Sequence, residues 1–315
     1  MNNRKHGCDL KKRLAIIGHG SQGLAWSQNL SRQGWEIAFY LRAGSASAHK
    51  VTTGLALSID DPKLKEEELV ALLIPDEQHP AFLEKYEEKL SPKALVILAH
   101  GYSYEAFQFE TLYPKRGFAL CAPKAIASEL SKRAARGAQL AGVWHLNKQA
   151  QTFEDTLKTL MHDLGLTYTL NASFEAETKA DLFSEQTLLC SLLPYGAAKA
   201  FQHLVDRGIS RELAFIECWM EMKLIADTLV SMGPLEFFNL ISPNALIGGH
   251  QASKKLLGAE FDKGLEELYT QINDGSFYKT CRQTNAETVR SEISRDWGQS
   301  DLQKTFEELK KLVQD

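Results

Sequence analysis

Cysteine is scarce in this chain and wrongly spaced for covalent or metal work. Of 315 residues only 5 are cysteine. Cys8, Cys121, Cys190, Cys218 and Cys281 are odd in number, far apart and never in a C-x-x-C arrangement, so neither a disulfide framework nor a thiolate zinc site is expected. An excess of one charge is also missing. The formal net charge is -4 with no block of like charges, which leaves no basic footprint of the kind that holds a phosphate backbone and argues against a nucleic-acid partner. No apolar run approaches the roughly 18 residues that a membrane helix needs. Residues 1–12 are polar, without the apolar centre of a signal peptide. The expectation is a cytoplasmic protein with neither nucleic acid nor membrane as a partner.

What is present is an ordinary globular composition, 44% hydrophobic and 24% charged, on a chain long enough for two cores. From Arg13 to about Asn171, short runs rich in Val, Ile and Leu alternate with helical patterns: RLAIIG, EIAFYL, ELVALLIPD, ALVILAHG, FALCAPK and LAGVWHL. Strands that are apolar throughout and separated by helices predict a doubly wound parallel sheet, covered on both faces, of the Rossmann type. After Ser173 the strand-like runs stop and helix-period apolar residues continue to the end. The reading is an α/β domain over 1–173 and an all-α domain over 174–315. The last helix is the clearest, with Ser300 and Gln303 spaced as a capping box and Leu302, Phe306, Leu309 and Leu312 on one face.

The run Gly18-His19-Gly20-Ser21-Gln22-Gly23 places a G-x-G-x-x-G directly after the first strand and before a helical stretch. That context is the mechanism of dinucleotide binding. Gly18 allows the turn, Gly20 lets backbone approach a pyrophosphate, Gly23 lets helix and strand pack closely, and the helix N-terminus offers amides to the phosphates. An acid at the end of the second strand, which would bind the ribose hydroxyls of NAD, is lacking. Arg42, Ser45 and Ser47 stand there instead, and guanidinium plus hydroxyls suit the 2′-phosphate of NADP.

Two acidic pairs lie in apolar settings at four-residue spacing, which puts each pair on one helical face: Asp181 with Glu185, and Glu217 with Glu221. The stretch from Leu213 to Met222 is apolar nearly all round and is expected to be buried. Like charges there need compensation. One solution is a hard divalent cation, Mg²⁺ before Mn²⁺ because the donors are all oxygen. The other is an ion-pair network using Lys179, Lys199 or Lys223.

Taken together, these segments resemble ketol-acid reductoisomerase, also called acetohydroxyacid isomeroreductase, in its short form and over nearly the whole chain. The motifs are the cofactor loop above, Leu41-Arg42 with Ser45 and Ser47, Pro75-Asp76-Glu77-Gln78, Ala99-His100-Gly101 and Ala122-Pro123-Lys124. They continue with Glu177-Thr178, Asp181-Leu182-Phe183, Glu185-Gln186, Glu217, Glu221 and Ser242. The resemblance implies a knotted helical domain that forms an intimate homodimer with a shared active site. It implies NADPH bound by Gly18 to Gly23, Arg42, Ser45, Ser47, Pro75, Asp76, Gln78 and His100. Two Mg²⁺ ions would be held by Asp181 and Glu185, with Glu217 and Glu221 coming from the partner. Lys124 would fix metal-bound water, His100 would lie near the nicotinamide, and Ser242 would bind the substrate carboxylate. Glu185 and Glu221 are both candidates for the general base. The implied reaction is alkyl migration in an acetohydroxy acid followed by reduction by hydride from NADPH.

The match departs from the family around the substrate. Lys124 is followed by Ala125-Ile126-Ala127-Ser128 instead of Gly-Pro-Gly-His, Ser184 replaces a glycine, Cys190-Ser191-Leu192 replaces Cys-Gly-Gly, and Leu246-Ile247 replaces Glu-Tyr. Glycines that let backbone approach a ligand have gained side chains. Two further readings follow: a paralogue that reduces another 2-keto acid without migration, and a catalytically silent NADP-binding protein. The remaining histidines (His49, His79, His145, His162, His203, His250) have no partners at ligand spacing and are expected on the surface or satisfied in the core.

Overall fold

The computed structural model describes residues 12–45 and 50–312. They form two compact units that divide between Thr178 and Lys179.

The first unit is built on an eight-stranded sheet. The strands are β1 (Arg13–Ile17), β2 (Glu36–Leu41), β3 (Leu55–Ser58), β4 (Leu69–Leu72), β5 (Leu95–Leu98), β6 (Gly117–Pro123), β7 (Leu140–Leu146) and β8 (Leu166–Asn171). Their order is β3-β2-β1-β4-β5-β6-β7-β8, so the chain reverses direction across the sheet between β1 and β4, where a doubly wound fold opens its ligand crevice. Successive residues of β1 point to opposite faces. Leu14 and Ile16 join Trp26, Leu30 and Phe39 in one core, whereas Ala15 and Ile17 join Tyr40, Leu72 and Leu98 in another. Both faces are buried, and this double burial is why these strands read as unbroken apolar runs.

Two features depart from the expectation. The β6–β7 pairing is antiparallel, with every other pairing parallel. The strands β3 and β8 were not anticipated. They are the two edges, and their residues are largely exposed, so they lack the continuous apolar run that marks a strand buried on both sides.

The second unit is entirely helical. Its core is small: Phe201, Ala214, Phe215 and Leu302 are buried, with Trp219, Trp297 and Phe306 packed around them. The Ser300 hydroxyl accepts from the Gln303 amide at 3.1 Å, but the Gln303 side chain reaches forward to Glu307, so the capping box is half made. Leu302 is buried and Leu312, beyond the end of that helix at Leu309, is exposed.

The expected burial of the Leu213 to Met222 stretch fails within one chain. Ala214 and Phe215 are buried, but Leu213, Glu217 and Glu221 are exposed. Large apolar side chains also stand in solvent nearby: Val230 at 84% exposure, Leu235 at 72% and Phe238 at 52%. A helix that is apolar all round needs more surface to cover it than this unit contains. Among the described residues no helix is long and apolar enough to cross a membrane.

Candidate active site

The glycine loop behaves as its spacing requires. Gly18 has φ of +101°, and a Cβ there would fall 2.7 Å from Ile74 Cγ2 and 2.8 Å from the Leu73 carbonyl oxygen. A Cβ on Gly23 would fall 2.7 Å from the Gly18 carbonyl oxygen, so close strand–helix packing excludes any side chain. Gly20 is different, because a Cβ on it would meet nothing within 4 Å. Gly20 faces open space at the start of the helix Ser21–Arg32, whose first-turn amides have no carbonyl partners inside the helix.

Polar atoms around this loop lack partners. His19 Nε2, Gln22 Oε1 and Ser45 Oγ are buried without a hydrogen bond among the described residues. The His19 ring packs edge-on against Phe39 at 4.8 Å, which holds its nitrogen in place. Buried polar groups are nearly always bonded, and three orphans beside an open backbone fit a dinucleotide with phosphates and hydroxyls to share. Arg42 is exposed where β2 ends. Ser47 lies outside the described residues, as do Cys8 and His49.

Two strand-end loops border the crevice. After β4, Pro75 leads into a tight turn at Asp76–Gln78. After β5 comes His100-Gly101. Here the Tyr102 amide donates to His100 Nδ1 at 3.0 Å, so Nδ1 is the unprotonated nitrogen and the neutral ring carries its proton on Nε2. His100 Nε2 lies 3.9 Å from Glu177 Oε2.

Glu177 is the centre of this part of the site. Its side chain is fully buried, with Oε1 bound by Lys124 Nζ at 2.5 Å and Oε2 by the Gly101 amide at 2.9 Å. A buried carboxylate needs this compensation, and Lys124 reaches it from the end of β6. A Cβ at Gly101 would collide with Thr178 Oγ1 and fall 2.6 Å from the Phe174 carbonyl oxygen. Only glycine lets the loop and the helix Phe174–Ser184 approach so closely. Sequence reasoning quoted Glu177 and Gly101 within motifs but gave neither a role. The overlooked signal was the ladder Glu177, Asp181, Glu185 at steps of four, which extends the acidic pair by one turn.

Asp181 lies one turn after Glu177 on the same helix and is half-buried; Glu185 is exposed. At Glu185 the helix widens into a π-helix, Glu185–Leu192. The Ser184 hydroxyl bonds the Asp181 carbonyl at 3.0 Å and the Thr187 hydroxyl bonds the Phe183 carbonyl at 2.6 Å across this junction. A second π-helix, Ile216–Met220, contains Glu217 and ends against Glu221. Wide turns of this kind are rare and recur at functional positions, where they re-aim side chains; here one falls at each acidic pair. The Gln186 Nε2 atom is buried and unpaired among the described residues. Burial, then the nearby Glu185 and Asp181 carboxylates, push the Cys190 thiol up. Burial and Glu217 do the same to Cys218, which disfavours the thiolate at both.

Among the described residues, no three of Asp181, Glu185, Glu217 and Glu221 come close enough to share one ion. Of the lysines considered as their partners, Lys179 donates to Asn273 at 2.7 Å and Lys223 pairs with Asp227 at 2.8 Å. The Ser242 hydroxyl caps the helix Pro243–Leu256 by accepting from the Ala245 amide. Five histidines lie on the surface or are satisfied in the core, as the sequence implied: His145, His162 and His203 bond to Asn171, Asp163 and Arg207, His250 is exposed, and His79 is satisfied in the core.

Comparison with known proteins agrees along the chain. Residues 10–164 match the family model described as acetohydroxy acid isomeroreductase, NADPH-binding domain, and residues 174–315 match ketol-acid reductoisomerase, C-terminal domain. The ketol-acid reductoisomerase (NADP(+)) of Haloarcula marismortui is 30% identical over 270 residues, covering 84% of this chain and 77% of that protein. An NADH-preferring ketol-acid reductoisomerase from an uncultured archaeon superimposes with a TM-score of 0.87 at 25% identity, over 96% of this chain and 95% of its own. A semialdehyde dehydrogenase NAD-binding protein from Cupriavidus necator, at 14% identity, shares the fold with a TM-score of 0.67 over 84% of this chain and 99% of its own.

Proposed function

Because the chain belongs to the ketol-acid reductoisomerase family, we propose that it is an NADPH- and Mg²⁺-dependent ketol-acid reductoisomerase. The substrate is 2-acetolactate or 2-aceto-2-hydroxybutyrate, the product is the 2,3-dihydroxy acid, and the setting is branched-chain amino-acid synthesis in the cytoplasm. The observation that carries this reading is the buried Glu177 carboxylate, held by Lys124 and the Gly101 amide beside His100 Nε2. The group stands at the head of a helix that continues into Asp181 and Glu185.

The residues fit both groups. Gly18 to Gly23 would surround the pyrophosphate, with orphaned His19 and Gln22 as partners, Arg42, orphaned Ser45 and Ser47 would take the 2′-phosphate, and Pro75, Asp76, Gln78 and His100 would border the nicotinamide half. Asp181 and Glu185 would hold two Mg²⁺ ions together with Glu217 and Glu221 of a second copy, as an all-oxygen donor set suits. The bare apolar surface around Glu221 and the failure of the four acids to gather within one chain support a homodimer with a shared site, and the knotted form of its helical domain rests on the family resemblance alone. When bound, NADPH supplies the hydride and the divalent ions supply Lewis acidity.

The chain's own residues do the rest. Glu185 or Glu221 takes the hydroxyl proton of the substrate and so starts the migration. Lys124, anchored on Glu177, places an ammonium donor at the site and orders water there. His100, held by the Tyr102 amide at Nδ1, keeps its Nε2 edge toward Glu177 at 3.9 Å and would border the nicotinamide. Ser242 positions the substrate carboxylate.

A specific observation favours a second reading in which a different 2-keto acid is reduced. Ile126, at a position where the family has proline between two glycines, is 71% exposed, two residues beyond Lys124. A branched side chain there alters the volume beside the site.

The test is NADPH oxidation with Mg²⁺, offered 2-acetolactate, then 3-hydroxy-3-methyl-2-ketobutyrate, then plain 2-keto acids. Turnover of the first supports the full reaction. Turnover only of the last removes the migration step, and binding of NADPH with no turnover on any establishes a silent binding protein.

Two substitutions test the cofactor assignment. Gly20→Ala adds a methyl group to open space, so the thermal midpoint should hold within a few degrees while the Kd for NADPH, followed by fluorescence, rises about tenfold or more. Arg42→Ala should raise the Kd for NADPH by about tenfold and leave that for NADH nearly unchanged, since only the former has a 2′-phosphate. Equal losses would assign the loop to the NADH-preferring pattern of the archaeal relative.

A further inference from the structure

His79 is 3% exposed and lies on neither the glycine loop nor the acidic helix. Its ring nitrogens are both used. Nε2 is 3.0 Å from the Ile74 carbonyl oxygen, and Nδ1 is 2.7 Å from the Ser103 hydroxyl. A carbonyl oxygen can only accept, so the proton of the neutral ring sits on Nε2. Nδ1 therefore accepts from Ser103, whose own side chain is wholly buried. Asp76 Oδ1 stands 3.6 Å from Nδ1. Burial lowers the pKa of His79 against the pull of Asp76 and Glu77, so the imidazole remains neutral and keeps this tautomer.

The two bonded groups belong to the two strand-end loops of the crevice. Ile74 is the residue against which Gly18 closes, at 2.7 Å from where a Cβ would be, and the Leu73 amide next to it bonds Ile17 at 2.9 Å. Ser103 directly follows Tyr102, whose amide orients His100, and Gly101, whose amide holds Glu177. No backbone hydrogen bond of the sheet joins these loops, because the β4–β5 pairing ends at Leu72 and Leu98.

We infer that His79 is a positioning residue that ties the floor of the nucleotide loop to the loop carrying His100, so that cofactor binding and the orientation of His100 depend on one buried imidazole. Carbonyl, imidazole and hydroxyl form a single bridge, buried at its Ser103 end and part-buried at its Ile74 end. Loss of either end lets the Ile74–Gln78 turn and the His100–Tyr102 turn move independently. The inference rests on the cofactor assignment proposed above.

The experiment uses the full-length protein and three variants: Ser103→Ala, which deletes one hydroxyl; His79→Gln, which offers an amide to Ile74 without reaching Ser103; and the double variant. NADPH affinity is measured by fluorescence, thermal midpoint by calorimetry, and kcat and KM in the assay above. Each single variant should raise the Kd for NADPH by about three- to tenfold and lower kcat as well, and the double should be no worse than the His79 variant alone, because the two changes cut the same bridge. Lower thermal midpoints with unchanged Kd would reduce His79 to a packing residue and overturn the inference. Additive losses in the double variant would also overturn it. Should His79→Gln not fold, Ser103→Ala decides by itself through Kd and kcat. A wild-type chain that fails to bind NADPH overturns the cofactor assignment and this inference together, whereas wild-type binding with unchanged variants overturns the bridge alone.

Discussion

Asp181→Asn should cut turnover on the acetohydroxy acid on the order of a thousandfold, about 4 kcal/mol of transition-state stabilisation, while the Kd for NADPH stays within about twofold of wild type. The substitution keeps shape and one oxygen but removes the charge that compensates a divalent ion. Asp181 sits half-buried one turn beyond Glu177, so the helix itself should persist. Raising Mg²⁺ should recover part of the activity, since the lost term is ion affinity. The same change at Glu185 tests the base and the ion together, and Glu217→Gln should act only through a second subunit. Mixing inactive Asp181→Asn with inactive Glu217→Gln protein under subunit exchange should then restore some activity, because one mixed site is intact. Activity of Asp181→Asn within tenfold of wild type would sink the ion-binding role.

Gly101→Ala should damage both the fold and the site. The new Cβ would occupy the space of Thr178 Oγ1 and approach the Phe174 carbonyl and Glu177 Oε2 at 2.6 and 3.0 Å. Thr178 and the Glu177 side chain are wholly buried, so neither can retreat. Overpacking of this kind costs about 1–3 kcal/mol, and displacement of the Gly101 amide would also strip Glu177 of a donor, a further ~1–3 kcal/mol for a buried acceptor left unmet. The expected outcome is a thermal midpoint lower by several degrees and activity reduced more than a hundredfold, measured by calorimetry and turnover. A variant with wild-type midpoint and turnover would show that the loop and helix are not held as tightly as this geometry requires. Gly20→Ala provides the contrast, with fold retained and nucleotide binding lost.

The difference between these two glycines illustrates where sequence reading succeeds and where it stops. Gly20 belongs to a motif whose spacing carries its own mechanism, so its role was legible before any coordinates. Gly101 follows a histidine in a short segment with no such internal logic. Its necessity arises from a helix more than seventy residues downstream, and only the folded chain brings the two together. Glu177 is a similar case. Its spacing to Asp181 and Glu185 was visible, but the partners that make it a buried, compensated acid, Lys124 and the Gly101 amide, come from different strand ends. The helical stretch around Glu217 and Glu221 was misjudged for the opposite reason: apolar composition implies burial, but within the described residues Leu213, Glu217 and Glu221 are exposed.

The residues in order determined what depends on neighbours along the chain: six apolar strands, five of them buried on both faces, a glycine loop before a helix, an arginine where an acid would mark NAD, and acidic pairs one turn apart. Each follows from local periodicity or from a turn that only certain side chains permit. Tertiary structure alone decided the reversed pairing of β6 with β7, the exposed edge strands, the tautomers of His79 and His100, and the burial of Glu177. Those depend on distances between segments remote in sequence, which no local pattern encodes, because a carboxylate or an imidazole takes its chemical character from whatever the fold sets against it.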